Sequence, residues 1–301
     1  MGAADVIPGV SGGTMAFILG IYPALIRAVR SFDLLWLESI VRLDIETLRG
    51  RPHFAFLLPL LTGIFCALLF FTRVVPLPEL LIRYPEQIYG LFFGLIAGSI
   101  IVLVQDMARL KPGAVLPLGA GLVLGALVFN MVPAETPEAV WFIFLSGALA
   151  ICAMILPGIS GSFVLLILNK YAYIFDAIGH FKFAVLIPFA LGAITGLALF
   201  SRILNYFLHR HYRNTVLLII GLLLASLWVI WPFQQRVYET LRGKPRLLES
   251  TPYFPVSCDR QALLAFLLMA AGLAAVFVIH YLAMKKGTAA ANSRRPGAVD
   301  A

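Results

Sequence analysis

Asp5-Val6-Ile7-Pro8-Gly9-Val10-Ser11-Gly12-Gly13-Thr14 interrupts an apolar run near the start of the chain. The second half returns the pattern, shortened, as Ile155-Leu156-Pro157-Gly158-Ile159-Ser160-Gly161-Ser162. A Pro-Gly-Ser run cannot continue a helix, because Pro removes a backbone donor and Gly carries an entropic cost. Inside a bilayer such a break is tolerated only where the backbone is buried in protein or lines a wet cavity. Paired breaks in the two halves of a transporter are the best sequence pointer to its binding site.

The flanking sequence fits that setting. Of 301 residues, 61% are hydrophobic and only 13% charged, a balance that excludes an ordinary soluble domain and implies a polytopic, all-α membrane protein. The net charge of +8 comes from Lys and Arg lying between apolar runs. It therefore bears on topology and lipid headgroups, and no basic stripe suggests nucleic acid. Cys66, Cys152 and Cys258 have no metal-ligand spacing, so neither metal nor cofactor is expected. The first motif begins so close to Met1 that no cleavable signal peptide is expected.

Two halves repeat. With Pro8 set on Pro157, Gly9/Gly158, Ser11/Ser160, Gly12/Gly161, Tyr22/Tyr171 and Phe32/Phe181 coincide. A second block sets Pro59, Gly63, Phe71 and Arg73 on Pro188, Gly192, Phe200 and Arg202 at the same internal spacing. Apolar bias could align Leu by chance, but not Pro, Gly and Arg in register. Repeat one is read over 1–132, with a re-entrant broken helix at 5–30, a surface linker at 31–52 and spans at 53–75, 87–105 and 113–132. Repeat two covers 138–284, with a re-entrant segment at 138–178 and spans at 183–208, 215–232 and 261–284. In it, a continuous helix is expected from Ser162 to about Ile178. Residues 233–260 are expected to form a long extramembrane loop, and 285–301 a disordered tail.

If each broken segment returns to the side it entered, each half holds three crossings and the repeats are inverted. Fourteen Lys and Arg then fall on one side and nine on the other, which puts the richer side, with Arg27–Arg51 and Arg202–Arg213, in the cytoplasm. Kinked full spans in place of re-entrant segments would change the parity.

Gly-rich backbone ahead of a helix forms an anion-binding concavity. Gly9, Ser11, Gly12, Gly13 and Thr14, with Gly158, Ser160, Gly161 and Ser162, are candidates to hold a phosphate; alternatively, the hydroxyls merely cap helices. Arg73 and Arg202 sit near span ends at matching repeat positions. There they could take a phosphate bidentately or simply snorkel to headgroups. Asp5 is a candidate coupling-ion site for H+ or Na+, or a cap near the surface. Lys170 could counter a lipid phosphate or snorkel, and Asn169 beside it is a weaker candidate. His180, His209, His211 and His280 read as interfacial.

Gly2-Ala3-Ala4-Asp5-Val6-Ile7-Pro8-Gly9-Val10-Ser11-Gly12-Gly13-Thr14, followed by Ile21-Tyr22, resembles the first signature of the bacterial polyprenyl-phosphate transporter family, long known as domain of unknown function 368. Leu156-Pro157-Gly158-Ile159-Ser160-Gly161-Ser162 with Asn169-Lys170-Tyr171 resembles its second. The likeness extends to about Lys286, although family members carry more helix ahead of the first motif. It implies a translocase, not an enzyme, that returns undecaprenyl phosphate from the outer to the cytoplasmic leaflet of the bacterial inner membrane for cell-envelope synthesis. Two other classes fit the same pattern. Undecaprenyl-pyrophosphate phosphatases also have a Pro-Gly-x-Ser turn in inverted re-entrant segments, but with an Arg after the Ser and paired intramembrane glutamates. Here Gly12 and Gly161 stand there, and Glu38, Glu46, Glu79, Glu86, Glu135, Glu138, Glu239 and Glu249 all fall in or beside loops. The third class is an ion-coupled carrier for a small soluble anion.

Overall fold

The computed structural model describes residues 1–5, 11–32, 34–50, 53–75, 77–107, 112–131, 136–241, 244–255 and 259–293. The chain begins with α1 (Gly2–Asp5), α2 (Gly12–Ile18), α3 (Tyr22–Arg30), α4 (Leu34–Val41) and α5 (Ile45–Gly50). Next come α6 (Phe54–Leu69), which runs into a π-helical turn at Phe70–Val74, then α7 (Leu77–Arg83), α8 (Pro85–Asp106) and α9 (Val115–Phe129). The second half holds α10 (Val140–Ile155), α11 (Gly161–Ile167), α12 (Tyr171–Gly179), α13 (Phe183–Arg210) and α14 (Tyr212–Val229). A hairpin of β1 (Gln234–Leu241) and β2 (Lys244–Pro252) precedes α15 (Arg260–Ser293).

The protein is a multi-pass helical membrane protein. Among the described residues four helices, α8, α13, α14 and α15, are long and apolar enough to cross a bilayer, and α6, α9 and α10 are shorter apolar helices. The roughly 20 residues that a crossing needs are met within α13 despite Pro188 in its interior.

The expected helix from Ser162 to Ile178 is broken. Between α11 and α12 the axis turns by 111° at Leu168-Asn169-Lys170, where Asn169 has φ +50°. The Asn169 N–H bonds the Leu166 carbonyl at 2.9 Å and the Lys170 N–H bonds that of Leu165 at 2.8 Å, the double closure of a left-handed C-terminal cap. The first half does the same at Gly20, φ +68°, where Gly20 N–H bonds Phe17 and Ile21 N–H bonds Ala16, both at 3.0 Å. Helix lengths match as well: α2 and α11 have 7 residues each, and α3 and α12 have 9 each. Identical local paths thus recur 149 positions apart. The sequence signal was present, since Gly and then Asn are the residues that favour this position.

By its contacts the chain forms two compact units, one of Met1–Tyr84 with Arg109–Ile230, the other of Pro85–Ala108 with Trp231–Ala301. In the first, α14 is the core helix: Leu217, Ile219, Ile220, Leu222 and Leu223 are fully buried, as expected for a helix apolar all round. It lies parallel to α9, Gly121 against the Leu218 carbonyl and Gly221 against that of Leu118. Helices α10 and α13 cross likewise, Gly147 on Phe189 and Gly192 on Phe144. No Cβ fits at any of these four glycines, so their absent side chains set how closely the backbones approach. The linker between α3 and α6 carries the short helices α4 and α5, with an exposed Arg42–Glu38 ion pair at the end of α4. The Asp44 carboxylate receives both the N–H and the O–H of Thr47, which holds its pKa below the usual aspartate value.

The second unit pairs α8 with α15 through the same crossing: Gly94 meets Met269 and Gly272 meets Leu91. Ahead of α15, Phe233 packs with Ala262 and Ala265 beside Trp231. The Trp231 indole N–H bonds the Tyr253 carbonyl at 3.0 Å, and the Tyr253 hydroxyl bonds Glu86 at 2.9 Å. The stretch expected as a loop is an antiparallel ribbon with a bulge at Val237/Tyr238. Pro245 and Pro252 are tolerated there because both strands of a two-stranded ribbon are edges. Helix α15 continues to Ser293, into residues expected as tail, where Ala289, Ala290 and Ala291 favour helix. Residues 294–301 lie outside the described residues.

Candidate functional site

The two interrupted motifs meet. α10 ends at Ile155, leaving its last carbonyls without helical donors, and the first half supplies them. Ser11 Oγ donates to the Met154 carbonyl at 3.3 Å, and the Tyr22 hydroxyl donates to Ile155 at 3.1 Å. The chain then turns at Gly158, φ +95°, whose N–H donates to Thr14 Oγ1 at 2.8 Å. A Cβ on Gly13 would lie 2.8 Å from the Ile155 carbonyl oxygen, so only glycine lets α2 approach this end. Behind the turn, Ile159 packs on Leu222 of α14 and Ala153 of α10.

This closure takes up several expected phosphate donors. Ser11 and Thr14 are buried, at 2% and 0% exposure; Ser11 also caps α2 by accepting from the Gly13 N–H at 3.1 Å. Gly12 is buried too. Ser160 takes Ser11's place at the head of α11 with nearly the same dihedrals, φ −103° and ψ 136° against −119° and 142°. Its side chain makes no cap bond. Instead Ser160 Oγ and Ser162 Oγ lie 2.6 Å apart, Ser162 being exposed and Gly161 half-buried. Accessible hydroxyl chemistry thus collects on the second motif. Phe163 stands at the position equivalent to Thr14, so that interlock has no mirror image in side-chain chemistry. Gly9 lies outside the described residues, and Asp5 closes α1.

Lys170 is not at the surface, and among the described residues it forms no ion pair. At 3% exposure, its ammonium donates to the Thr136 carbonyl at 2.9 Å and lies 5.8 Å and 5.6 Å from the Phe142 and Tyr173 ring centroids. Thr136 Oγ1 in turn donates to the Leu168 carbonyl at 2.5 Å, which ties the stretch before α10 to the bend beside Asn169. Asn169 itself is exposed and sets the bend. Further along, Lys182 reaches Asp176 at 2.8 Å, and that carboxylate raises the lysine pKa.

The matched arginines differ in surroundings. Arg73 is exposed in the π-helical turn Phe70–Val74, a local geometry often found at functional sites. Arg202 lies in the regular helix α13 and lines a cleft of about 480 Å³ with Asn205, Tyr206 and His209 of that helix and Arg30 of α3. Sequence spacing missed Arg30, whose repeat mate is Gly179, and set His209 aside as interfacial. The available signal was the helical spacing of Arg202, Asn205, Tyr206 and His209, which puts them on one face.

Residues 1–245 match the family model described as undecaprenyl phosphate translocase-like. The chain is 35% identical over 293 residues to a polyprenyl-phosphate transporter of Vibrio cholerae, covering 95% of this chain and 94% of that protein. It is 30% identical over 250 residues to a polyprenyl-phosphate transporter of Staphylococcus aureus, covering 77% and 83% respectively. No solved structure matches. With both motifs inside the matched region, the chain belongs to the undecaprenyl phosphate translocase-like family.

Proposed function

We propose that this protein translocates undecaprenyl phosphate, or a related polyprenyl phosphate, from the outer to the cytoplasmic leaflet of the bacterial inner membrane. The observation that carries the mechanism is the contact between the two motifs, Thr14 on Gly158 at 2.8 Å. It joins equivalent breaks of two repeats where neither could stand alone in lipid. The headgroup phosphate displaces Thr14 from the Gly158 N–H and takes Ser160, Ser162 and the freed backbone donors, while the prenyl tail stays in the bilayer. A phosphate without such donors would face the prohibitive cost of a bare charge in hydrocarbon.

Inverted repeats give the two-sided access. The α8–α15 and α9–α14 crossings are both parallel, contact numbers rising together along each pair. Each pair joins a span of one repeat to the non-equivalent span of the other, and with the three crossings that the sequence gives each repeat this supports inversion. Arg73 serves the outer mouth and Arg202 the inner one. Proton or sodium coupling through Asp5 belongs to the same proposal.

The test is proteoliposomes holding a labelled polyprenyl phosphate, scored for inward flipping, release of inorganic phosphate and uptake of soluble phosphate. Protein-dependent flipping alone is expected. Phosphate release would instead make the protein a phosphatase, and uptake of the soluble ion an anion carrier.

A further inference from the structure

We propose that the cleft between α3 and α13 is a docking site for a phosphomonoester dianion at the membrane surface. Two arginines, Arg30 and Arg202, line it, and among the described residues neither forms an ion pair. A phosphomonoester carries close to two negative charges at neutral pH, and guanidinium pairs with its oxygens bidentately.

The cleft also holds a built polar floor. Asn205 is only 6% exposed, yet none of its described hydrogen bonds uses the side-chain amide, whose desolvation costs free energy until a ligand satisfies it. The Asn205 carbonyl faces His209 Nδ1 at 3.0 Å. A carbonyl can only accept, so Nδ1 carries the proton, and this bond fixes the imidazole ring on the cleft wall. Tyr206 adds a phenol at the rim.

Depth along α13 fits a lipid headgroup. From Phe183 to Arg202 the helix climbs about 28 Å at its normal rise, close to the roughly 30 Å of hydrocarbon. The guanidinium of Arg202 therefore reaches headgroup level when Phe183 stands at the opposite edge. Exposed Tyr206 and Phe207 follow at the level where aromatic side chains anchor in the interface. The inference rests on the translocation reading only for the identity of the lipid; the phosphate chemistry stands on the cleft itself.

The experiment measures binding of geranylgeranyl phosphate to the purified full chain in detergent, with inorganic phosphate and geranylgeraniol as competitors. Arg30→Gln, Arg202→Gln and Asn205→Leu should each weaken binding roughly tenfold or more, and Asn205→Asp, which adds a like charge, should abolish it. Arg83→Gln, outside the cleft, should bind as wild type, and unchanged elution and melting of each variant guards against misfolding. Competition by inorganic phosphate with the same variant dependence upholds the phosphate site but assigns it to the free anion. Wild-type affinity in all four cleft variants, or competition by the alcohol alone, overturns it. Binding that persists in a protein that does not flip lipid leaves the cleft standing and removes the translocase; normal flipping with cleft variants that bind normally does the reverse.

Discussion

Thr14 Oγ1 accepts a hydrogen bond from the Gly158 N–H at 2.8 Å, joining residues 144 positions apart in the chain. The donor belongs to a turn that no helix or sheet can satisfy, and the acceptor comes from the equivalent motif of the other half. Thr14→Val keeps the shape and removes the acceptor, leaving a buried N–H unpaired at a cost of about 1–3 kcal/mol. The expected outcome is a lower melting temperature in detergent, recovered by Thr14→Ser. On the proposed mechanism the valine variant also flips lipid at an altered rate, because the latch that the phosphate must displace is gone.

Glycine is required at the helix crossings but not at every glycine. A Cβ at Gly94, Gly192 or Gly221 would overlap a backbone carbonyl of the facing helix, whereas at Gly63, the repeat mate of Gly192, it would meet nothing within 4 Å. Gly192→Ala and Gly221→Ala should each destabilise by about 1–3 kcal/mol, the usual range for overpacking. Gly63→Ala should be neutral or stabilise by about 0.5–1 kcal/mol through the helix entropy gained. Thermal unfolding of the three variants side by side decides this, and equal losses at Gly63 and Gly192 would contradict the packing account.

The two bends can exchange residues. Gly20 and Asn169 occupy the same left-handed position, at φ +68° and +50°. Gly20→Asn should therefore melt close to wild type, while Gly20→Val should lose about 1–2 kcal/mol from the strain that a Cβ-branched residue meets there. Asn169→Gly should be tolerated.

Lys170 is accounted for by the fold. Its ammonium is satisfied by the Thr136 carbonyl and two aromatic faces, leaving little for a headgroup. Lys170→Met preserves the stem and removes the buried charge, an exchange that is often neutral. Stability and flipping should both stay near wild type. Lys170→Glu should fail to fold, since an anion would then face the Thr136 carbonyl. Loss of flipping in a well-folded methionine variant would return Lys170 to the transport site.

What could be read in advance divides along a physical line. Composition and apolar length identify a polytopic helical membrane protein, because transfer free energy depends on residue type and not on contacts. Pro8-Gly9 and Pro157-Gly158 mark the interruptions, because a missing donor or side chain acts on the local backbone alone. The second bends at Gly20 and Asn169 were marked by their capping residues too, but continuous hydrophobicity through Leu166-Ile167-Leu168 and beyond concealed them.

Only the folded chain decides which donor meets which acceptor. Sequence placed Ser11 and Thr14 among possible phosphate ligands; the structure gives them to Met154 and Gly158, since a buried carbonyl or N–H must find a partner and these hydroxyls are nearest. Sequence paired Arg73 with Arg202 by repeat position, whereas Arg202 shares its cleft with Arg30, a residue that has no matching arginine in the other half. Periodicity fixes which side chains share one helix face, but the neighbour across from that face is chosen by packing, which no local pattern encodes.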